Sequence, residues 1–220
     1  MKTILFDLDG TLIDHFTAIH KSINFAQRSM GLEESEYNTV KSAVGGSART
    51  TIKRLLGDDC DEEKAFNLFR QKFEETKFSD VEILPYVGPF LNALNREKYT
   101  LGVLTNKIHS DAVAILQHLK LSQYFDAILG VEDGPSESRK PDPQFTMHIL
   151  EALDTTSEET LMIGDSPYDL QTAESGCLQC ALVATGTHTQ NQLVEYLDEA
   201  RIFADMRALA SDLFSINLPK

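Results

Sequence analysis

Three aspartates stand close together near the start of the chain, in the stretch ILFDLDGTLID at residues 4–14. Asp7 and Asp9 are two residues apart, so on an extended chain their side chains lie on the same side. Carboxylates this close repel one another, and their desolvation beside an apolar strand is costly. This cost indicates that the carboxylates are kept in order to bind a ligand. A carboxylate that faces a bound phosphate is a candidate nucleophile, and the second carboxylate is placed to exchange protons with the leaving oxygen and with water.

Four further residues extend this chemistry. Asp165 and Asp169 belong to the stretch GDSPYD, and they raise the number of carboxylates that need a cation. Because the donor set is oxygen without a histidine cluster, we expect Mg²⁺. Thr105, in LTN, supplies a hydroxyl, and Lys140, in KPDP, supplies a positive charge. With Mg²⁺ and backbone N–H groups they complete a phosphate cradle.

Alternating apolar and helical patterns must position these residues. Short apolar runs predict strands at 3–8, 99–105, 125–130, 160–165, 180–185 and 201–205. Apolar residues at three- and four-residue spacing predict helices at 87–98, 108–120, 143–153, 167–175 and 206–214. This alternation predicts an α/β fold with a doubly wound, Rossmann-like parallel sheet and helices on both faces. Polar residues at the carboxyl ends of its strands then meet at one edge.

The alternation is interrupted after the first strand. Residues 15–80 carry helical patterns and no predicted strand. We therefore expect an inserted α-helical cap at 15–80 and a core made of residues 1–14 and 81–220. A cap of this kind is expected to close over the core, exclude water and select the substrate.

The composition of the chain limits the kinds of partner that it can bind. The chain has 220 residues and a formal net charge of −14, with 42% hydrophobic and 25% charged residues. This acidity argues against nucleic acid and against an anionic membrane surface. No apolar run has the length of a membrane span, and the aspartates near the start interrupt the apolar stretch that a signal peptide requires. We expect a cytoplasmic monomer or homodimer that acts on a small phosphorylated metabolite.

The three cysteines do not form a disulfide framework. Cys60, Cys177 and Cys180 are an odd number in a chain of this type. CLQC, at 177–180, has redox or zinc spacing, but the sequence offers no second Cys/His pair to complete a metal site. We expect buried structural thiols.

Four motifs in order carry a resemblance to a known family. They are DLDGT at 7–11, LTN at 104–106, KPDP at 140–143 and GDSPYD at 164–169. Together they resemble the haloacid dehalogenase superfamily of phosphatases, in the phosphoglycolate-phosphatase-like branch with a helical cap. The resemblance covers essentially the whole chain. It implies a Mg²⁺-dependent phosphatase that hydrolyses a small phosphomonoester through an aspartyl-phosphate.

The resemblance implies roles for the first motif. It makes Asp7 the nucleophile and a metal ligand. It makes Asp9 the general acid and base, with its backbone carbonyl on the metal. Gly10 and Thr11 would form the turn that lets backbone N–H groups approach the phosphate, so both are expected to bind substrate.

The resemblance also implies roles for the later motifs. Thr105 would bind phosphate through its hydroxyl and Asn106 through the backbone group beside it. Lys140 would neutralise the phosphate and steady the nucleophile. Asp165 would ligate the metal directly, and Asp169 would lie near Lys140 in the metal shell.

Structural explanations compete with these roles. Thr105 and Asn106 also suit a strand end or a helix cap. Lys140 could be a solvated lysine before a proline-rich turn, and Asp169 a surface residue of a helix. A purely structural role is a weaker explanation for Asp7, Asp9 and Asp165, because buried carboxylates without a ligand are costly.

Other functions remain open as well. Asp9 argues against the dehalogenases of this superfamily, which lack an aspartate at this position. A sugar-phosphate mutase would need a cap histidine and a cap arginine, which His20 and Arg49 suggest. However, Ile19 holds the mutase histidine position, and one residue turns a helix by about 100°. Arg49, in the cap loop VGGSAR, is instead a candidate for binding substrate. A non-enzymatic receiver or binding module with a phosphorylated aspartate is the third possibility.

Overall fold

The structure is a computed structural model that describes residues 2–57, 59–132 and 138–219. The chain divides into two compact units. We call the first the core unit, which comprises Met1–Ile13 and Ile83–Lys220, and the second the helical unit, which comprises Asp14–Glu82.

A parallel sheet forms the centre of the core unit. The strands within the described residues are β1 (Thr3–Phe6), β2 (Ile13–Asp14), β3 (Glu82–Ile83), β4 (Thr100–Ile108), β5 (Ala127–Val131), β6 (Thr160–Gly164), β7 (Gln179–Val183) and β8 (Ile202–Phe203). Six of them form one sheet in the order β5-β4-β1-β6-β7-β8, and each neighbouring pair is parallel. The chain winds from β1 to one side through β4 and β5 and then to the other side through β6, β7 and β8. The winding therefore reverses at β1.

Helices alternate with these strands. Those of the described residues are α1 (Phe16–Ser29), α2 (Tyr37–Ala43), α3 (Ala48–Leu56), α4 (Glu62–Thr76), α5 (Val87–Arg96), α6 (His109–His118), α7 (Pro143–Ala152), α8 (Pro167–Ser175), α9 (Gln190–Leu193) and α10 (Met206–Phe214). In the core unit, α6 and α7 pack on β4 and β5, α8 packs on β6 and β7, and α10 packs on β8.

β1 is buried because helices cover both of its faces. All four of its residues are buried, and successive side chains of a strand point to opposite faces. Phe6 packs edge-on against Phe90 of α5, with 6.4 Å between the ring centroids. Leu5 faces α7 instead: a Cβ added to Gly102 would lie 2.8 Å from Leu5 and 3.2 Å from Ile149. The predicted doubly wound α/β fold is therefore confirmed.

The helical unit is built on the packing of α1 against α4. Each presents apolar residues at three- and four-residue spacing, as expected for amphipathic helices. The buried apolar residues are Phe16, Ala18, Ile19, Ile23 and Ala26 on α1, and Ala65, Phe66, Phe69 and Phe73 on α4. Phe69 and Phe73 stack with 5.6 Å between their centroids.

The predicted strands and helices of the core unit are all present, with shifts at their ends. The largest shift is in β4, predicted to end at residue 105, which continues to Ile108. The two-residue strands β2 and β3, which pair with each other, and the short helix α9 were not predicted. Within the described ranges, no helix is both long enough and apolar enough to cross a membrane.

The cysteines differ from one another in exposure. Cys180 is buried in β7, as predicted, whereas Cys177 is exposed and Cys60 is half-buried. Cys177 has a φ of +55° in the turn after α8, which directs the chain out of the helix before β7 begins. The prediction of a buried thiol is therefore wrong for Cys177.

Candidate active site

Three of the predicted site residues lie at the carboxyl ends of three strands. Asp7 directly follows β1, and its N–H donates to the Ile163 carbonyl of β6 at 2.9 Å. Asp165 directly follows β6, and Thr105 lies in the last part of β4. Because the winding reverses at β1, these ends border the crevice in which doubly wound sheets bind ligands.

A bulge in β4 brings three consecutive side chains into the site. The register against β5 shifts between Leu104 and Ile108, so that an advance of four residues along β4 matches an advance of two residues along β5. A regular strand would point alternate side chains to opposite faces, and a bulge breaks that alternation. Thr105, Asn106 and Lys107 lie in this bulge. It also explains why β4 extends beyond its predicted end.

A buried lysine lies between two carboxylates. Lys140 Nζ is 2.7 Å from Asp7 Oδ1 and 2.7 Å from Asp169 Oδ1. Only 2% of the Lys140 side chain and 0% of that of Asp169 are exposed. The alternative interpretations of a solvated lysine and a surface aspartate are therefore wrong.

Asn106 fixes the backbone of this lysine. Its side-chain oxygen accepts the Lys140 N–H at 2.8 Å, and its amide nitrogen donates to the Lys140 carbonyl at 3.1 Å. Thr105 Oγ1 accepts the Lys107 N–H at 3.2 Å. Both bulge residues are buried and bonded within the site, whereas the sequence suggested only a backbone role for Asn106.

Three carboxylates meet beside Lys140. Ligand atoms of Asp7, Asp165 and Asp169 all lie within 4.8 Å of one another. Burial raises the pKa of Asp7 to about 6, with Lys140 opposing and Asp169 adding to the rise. Burial and the charges of Asp169 and Asp7 raise the pKa of Asp165 to about 8. Burial alone would lower the pKa of Lys140, but the charges of Asp169 and Asp7 outweigh it and raise that pKa.

These residues fit a magnesium ion. The donor set is three clustered carboxylates, and hard oxygen ligands are those that Mg²⁺ prefers. When all three carboxylates are ionised, the single positive charge of Lys140 does not balance their negative charge. A divalent cation held by Asp7, Asp165 and the nearby Asp169 would restore that balance.

Hydrogen bonds orient the two later aspartates. Asp165 Oδ1 accepts from the Thr11 hydroxyl at 3.1 Å, and Oδ2 accepts from the Thr187 N–H and hydroxyl at 2.9 and 3.1 Å. Asp169 Oδ2 accepts from the Ser166 N–H and hydroxyl at 3.1 and 2.8 Å, and the bond from the N–H is one half of a capping box at the start of α8. Both carboxylates are therefore held in fixed orientations.

Gly10 and Thr11 shape the turn after β1. Gly10 has a φ of +90°, which a residue with a side chain rarely adopts. Its N–H donates to the Ile13 carbonyl at 2.8 Å, and the Thr11 N–H donates to the Leu8 carbonyl at 3.3 Å. The predicted turn is therefore present, but these two N–H groups donate within it. Substrate binding by Gly10 and Thr11 stays a prediction.

The segment after β7 belongs to the site, although none of its residues was predicted to do so. Thr185 Oγ1 donates to the Gly10 carbonyl at 2.7 Å. A Cβ at Gly186 would overlap with Asp165 Oδ2. Thr187 donates to Asp165 Oδ2, whereas Thr11 donates to Oδ1 of the same carboxylate. A signal was available, since TGTHT at 185–189 is a polar stretch that begins at the last residue of a predicted strand.

Asp9 lies outside the carboxylate cluster and pairs with Lys107. Lys107 Nζ is 3.0 Å from Asp9 Oδ1 and 2.8 Å from Oδ2. The side chain of Asp9 is 13% exposed, and that of Lys107 is 7% exposed. Asp9 is not part of the cluster that Asp7, Asp165 and Asp169 form. Its predicted backbone role toward a metal is untested.

Arg49 and His20 make contacts within the helical unit. Arg49 lies 2.9 Å from Glu63 and 3.5 Å from Glu62, with its guanidinium 3.9 Å from the centre of the Phe66 ring. His20 Nε2 lies 2.9 Å from the Ser35 carbonyl oxygen. These contacts account for both side chains structurally, and substrate binding by Arg49 stays a prediction.

A family model described as haloacid dehalogenase-like hydrolase matches residues 4–183. The chain belongs to this family. The motifs at Asp7, Thr105, Lys140 and Asp165 all lie within the matched region, and the predicted hydrolase assignment is confirmed.

Relatives and solved structures agree with this membership. The phosphoglycolate phosphatase of Nitrosospira multiformis is 30% identical over 80% of this chain and 79% of its own length. A 5′-nucleotidase of Pseudomonas aeruginosa is 30% identical over 96% of this chain and 95% of its own length. The structure of a predicted phosphatase from Clostridium acetobutylicum superposes with a TM-score of 0.87 at 26% identity, covering 98% of this chain and 99% of that chain. The predicted resemblance to phosphoglycolate phosphatases is confirmed.

Proposed function

We propose that the protein is a Mg²⁺-dependent phosphatase that hydrolyses a small phosphomonoester through an aspartyl-phosphate on Asp7. The observation that carries this proposal is the arrangement of Lys140 between Asp7 and Asp169, with Asp165 in the same cluster. It lies at the carboxyl end of β1, where such sheets bind ligands. The cytoplasmic location and the monomeric or homodimeric state stay predictions.

The first step follows from the surroundings of Asp7. Its carboxylate would attack the phosphorus atom, forming a bond from Asp7 to phosphorus while the bond to the ester oxygen breaks. Lys140 touches Asp7 and would neutralise the phosphoryl oxygens, and Thr105 would donate its hydroxyl to one of them. Mg²⁺, held by Asp7, Asp165 and the Asp9 carbonyl with Asp169 nearby, would supply the remaining positive charge.

Asp9 carries the proton transfers. Its side chain is separate from the metal-binding carboxylates, so it can serve the leaving group rather than the cation. It would give a proton to the departing ester oxygen. It would then take one from the water that attacks the aspartyl-phosphate, releasing phosphate and restoring Asp7.

Two substrate classes have specific support. Phosphoglycolate is favoured by several relatives that carry the name phosphoglycolate phosphatase at 24–32% identity. Nucleoside 5′-monophosphates are the second candidate, because the 5′-nucleotidase relative matches almost from end to end. We place phosphoglycolate first.

The mutase alternative gains no support from the helical unit. His20 is bonded to the Ser35 carbonyl, and Arg49 is paired with Glu63. A receiver or binding module would hold its phosphoryl group rather than release it to water. Turnover therefore separates a receiver from an enzyme.

The test is a screen of phosphomonoesters with the whole chain, in Mg²⁺ and in EDTA. The panel contains phosphoglycolate, nucleoside monophosphates, sugar phosphates, pyrophosphate and p-nitrophenyl phosphate. We expect turnover in Mg²⁺ that EDTA abolishes and added Mg²⁺ restores. Turnover that persists in EDTA, or no turnover of any compound, would contradict the proposal.

A further inference from the structure

Lys107 is a second lysine with a largely covered side chain, and the catalytic roles above do not explain its position. Lys140 already contacts the nucleophile, so the phosphoryl group does not require another lysine. Lys107 instead contacts both oxygens of Asp9, at 3.0 and 2.8 Å. With 7% of its side chain exposed, it is nearly withdrawn from water.

The fold holds Lys107 in this place. It lies in the β4 bulge, and its N–H donates to Thr105 Oγ1. Its carbonyl oxygen packs so closely on β5 that a Cβ at Gly130 would lie 2.6 Å from it. The backbone is therefore fixed from both sides, and the ammonium is directed to the Asp9 side of the site.

The position of Lys107 defines which part of a substrate it can reach. If Asp9 gives a proton to the ester oxygen, that oxygen lies within hydrogen-bond distance of its carboxylate. An ammonium about 3 Å from the same carboxylate then lies beside the first atoms of the leaving group. A negative group carried there would meet a positive charge in a site with little water, where such contacts are strong.

We propose that Lys107 is a specificity residue that binds a second anionic group of the substrate, carried on the leaving group close to the ester oxygen. This inference rests on the proposed phosphatase function. It explains how a chain with a net charge of −14 could select a doubly anionic substrate. It also assigns separate tasks to the two lysines of the site: Lys140 serves the phosphoryl group and Lys107 the leaving group.

The experiment compares two matched probes. Phosphoglycolate carries a carboxylate on its leaving group, and 2-hydroxyethyl phosphate carries a neutral hydroxyl in a similar place. We expect the wild-type protein to prefer phosphoglycolate in kcat/KM. Lys107→Met should lower kcat/KM for both probes, because Asp9 loses its partner. The loss of kcat/KM in this variant should be about 10- to 100-fold larger for phosphoglycolate, because a contact between charged groups is lost.

Control variants separate this effect from others. Lys107→Arg keeps the charge and should retain a preference for phosphoglycolate. Lys2→Met removes one charge from an exposed side chain paired with Glu159 and should leave the preference unchanged. Circular dichroism and thermal melting check that each variant is folded. If Lys107→Met does not fold, the comparison is made with Lys107→Gln.

Several results would overturn the inference. Equal losses on both probes would make Lys107 a positioning residue of Asp9 only. A wild-type protein without a preference for phosphoglycolate, or one active on p-nitrophenyl phosphate but on neither probe, would also contradict it. In these cases the proposed phosphatase function stands, whereas that function fails if no phosphomonoester is hydrolysed at all.

Discussion

Asp7, Asp9 and Asp165 differ in how their negative charge is balanced. Asp7 contacts Lys140, and Asp9 contacts Lys107. Asp165 accepts hydrogen bonds from neutral groups, and its pKa is raised further than that of Asp7. Because the partners of Asp165 are neutral, we expect this carboxylate to gain most from a metal ion, whereas Lys140 stabilises the ionised form of Asp7 that a nucleophile requires.

Asp7→Asn should abolish phosphatase activity while leaving the fold intact. The amide has nearly the same shape but cannot form an aspartyl-phosphate, and loss of a nucleophile costs on the order of 10⁴-fold or more in kcat. The measurement is Mg²⁺-dependent turnover of the best substrate of the screen, with circular dichroism as the check of folding. The matched control is Asp126→Asn, which alters a carboxylate that accepts the Leu101 N–H before β5. Activity of the Asp7 variant within tenfold of wild type would contradict the mechanism.

Thr187→Val should weaken magnesium binding. The variant keeps the backbone N–H that holds Asp165 Oδ2 but removes the hydroxyl that donates to the same oxygen. Groups that orient a metal ligand typically contribute about 10- to 100-fold in metal affinity. The measurements are the Mg²⁺ concentration for half-maximal activity and direct titration of Mn²⁺ binding. Thr187→Ser keeps the hydroxyl and should behave as wild type, and equal affinities of the valine and serine variants would refute the role.

At the scale of elements, hydrophobic periodicity was enough to predict the strands that carry the site. The strands ending before Asp7 and Asp165 are apolar runs of the length that a buried parallel strand requires, and both were placed correctly. The β4 bulge has no such signature, because it depends on a register shift against β5 that a single strand does not encode. For this reason the contacts of Asn106 and Lys107 could not be predicted, although their neighbour Thr105 was.

The segment after β7 was missed for a related reason. Its contact with Asp165 joins residues 22 positions apart, and its contact with Gly10 joins residues 175 positions apart. The type of residue alone does not reveal such pairings. A glycine in this segment allows the close approach, since a side chain at Gly186 would overlap with the carboxylate of Asp165.

Gly186→Ala should therefore impair the site. The new methyl group would displace Asp165, or the segment itself, from the observed position. We expect a loss of about tenfold or more in kcat/KM, together with a raised Mg²⁺ requirement, because metal ligands tolerate little displacement. The matched control is Gly88→Ala in α5, where no heavy atom of the described residues outside its own helix turn lies within 4 Å of an added Cβ. That control should cause no loss of activity, and equal activity of the two variants would refute the steric argument.

At the scale of the whole molecule, the site lowers the stability of the folded protein and adds to its excess of negative charge. Clustered buried carboxylates with raised pKa values are unfavourable in a folded protein that already carries a net charge of −14. The apolar packing around β1 and the hydrogen bonds to Asp165 and Asp169 must offset this cost. A bound cation would remove much of it, so the stability of the molecule should depend on metal and on pH together.

The stability of the metal-free protein should fall as the pH rises from about 4 to about 8. The pKa values of Asp7 and Asp165 lie near 3.8 in the unfolded chain, but at about 6 and about 8 in the folded protein. Between these values the folded state binds more protons than the unfolded state, so raising the pH favours unfolding. Mg²⁺ binds the deprotonated carboxylates, so the rise in Tm that it produces should grow over the same range. Thermal melts in EDTA and in excess Mg²⁺ test both trends. Asp165→Asn should flatten the slope in EDTA, whereas Asp126→Asn, which removes a charge elsewhere, should not. A Tm in EDTA that is constant or rises toward pH 8 would show that the cluster is not the source of the instability.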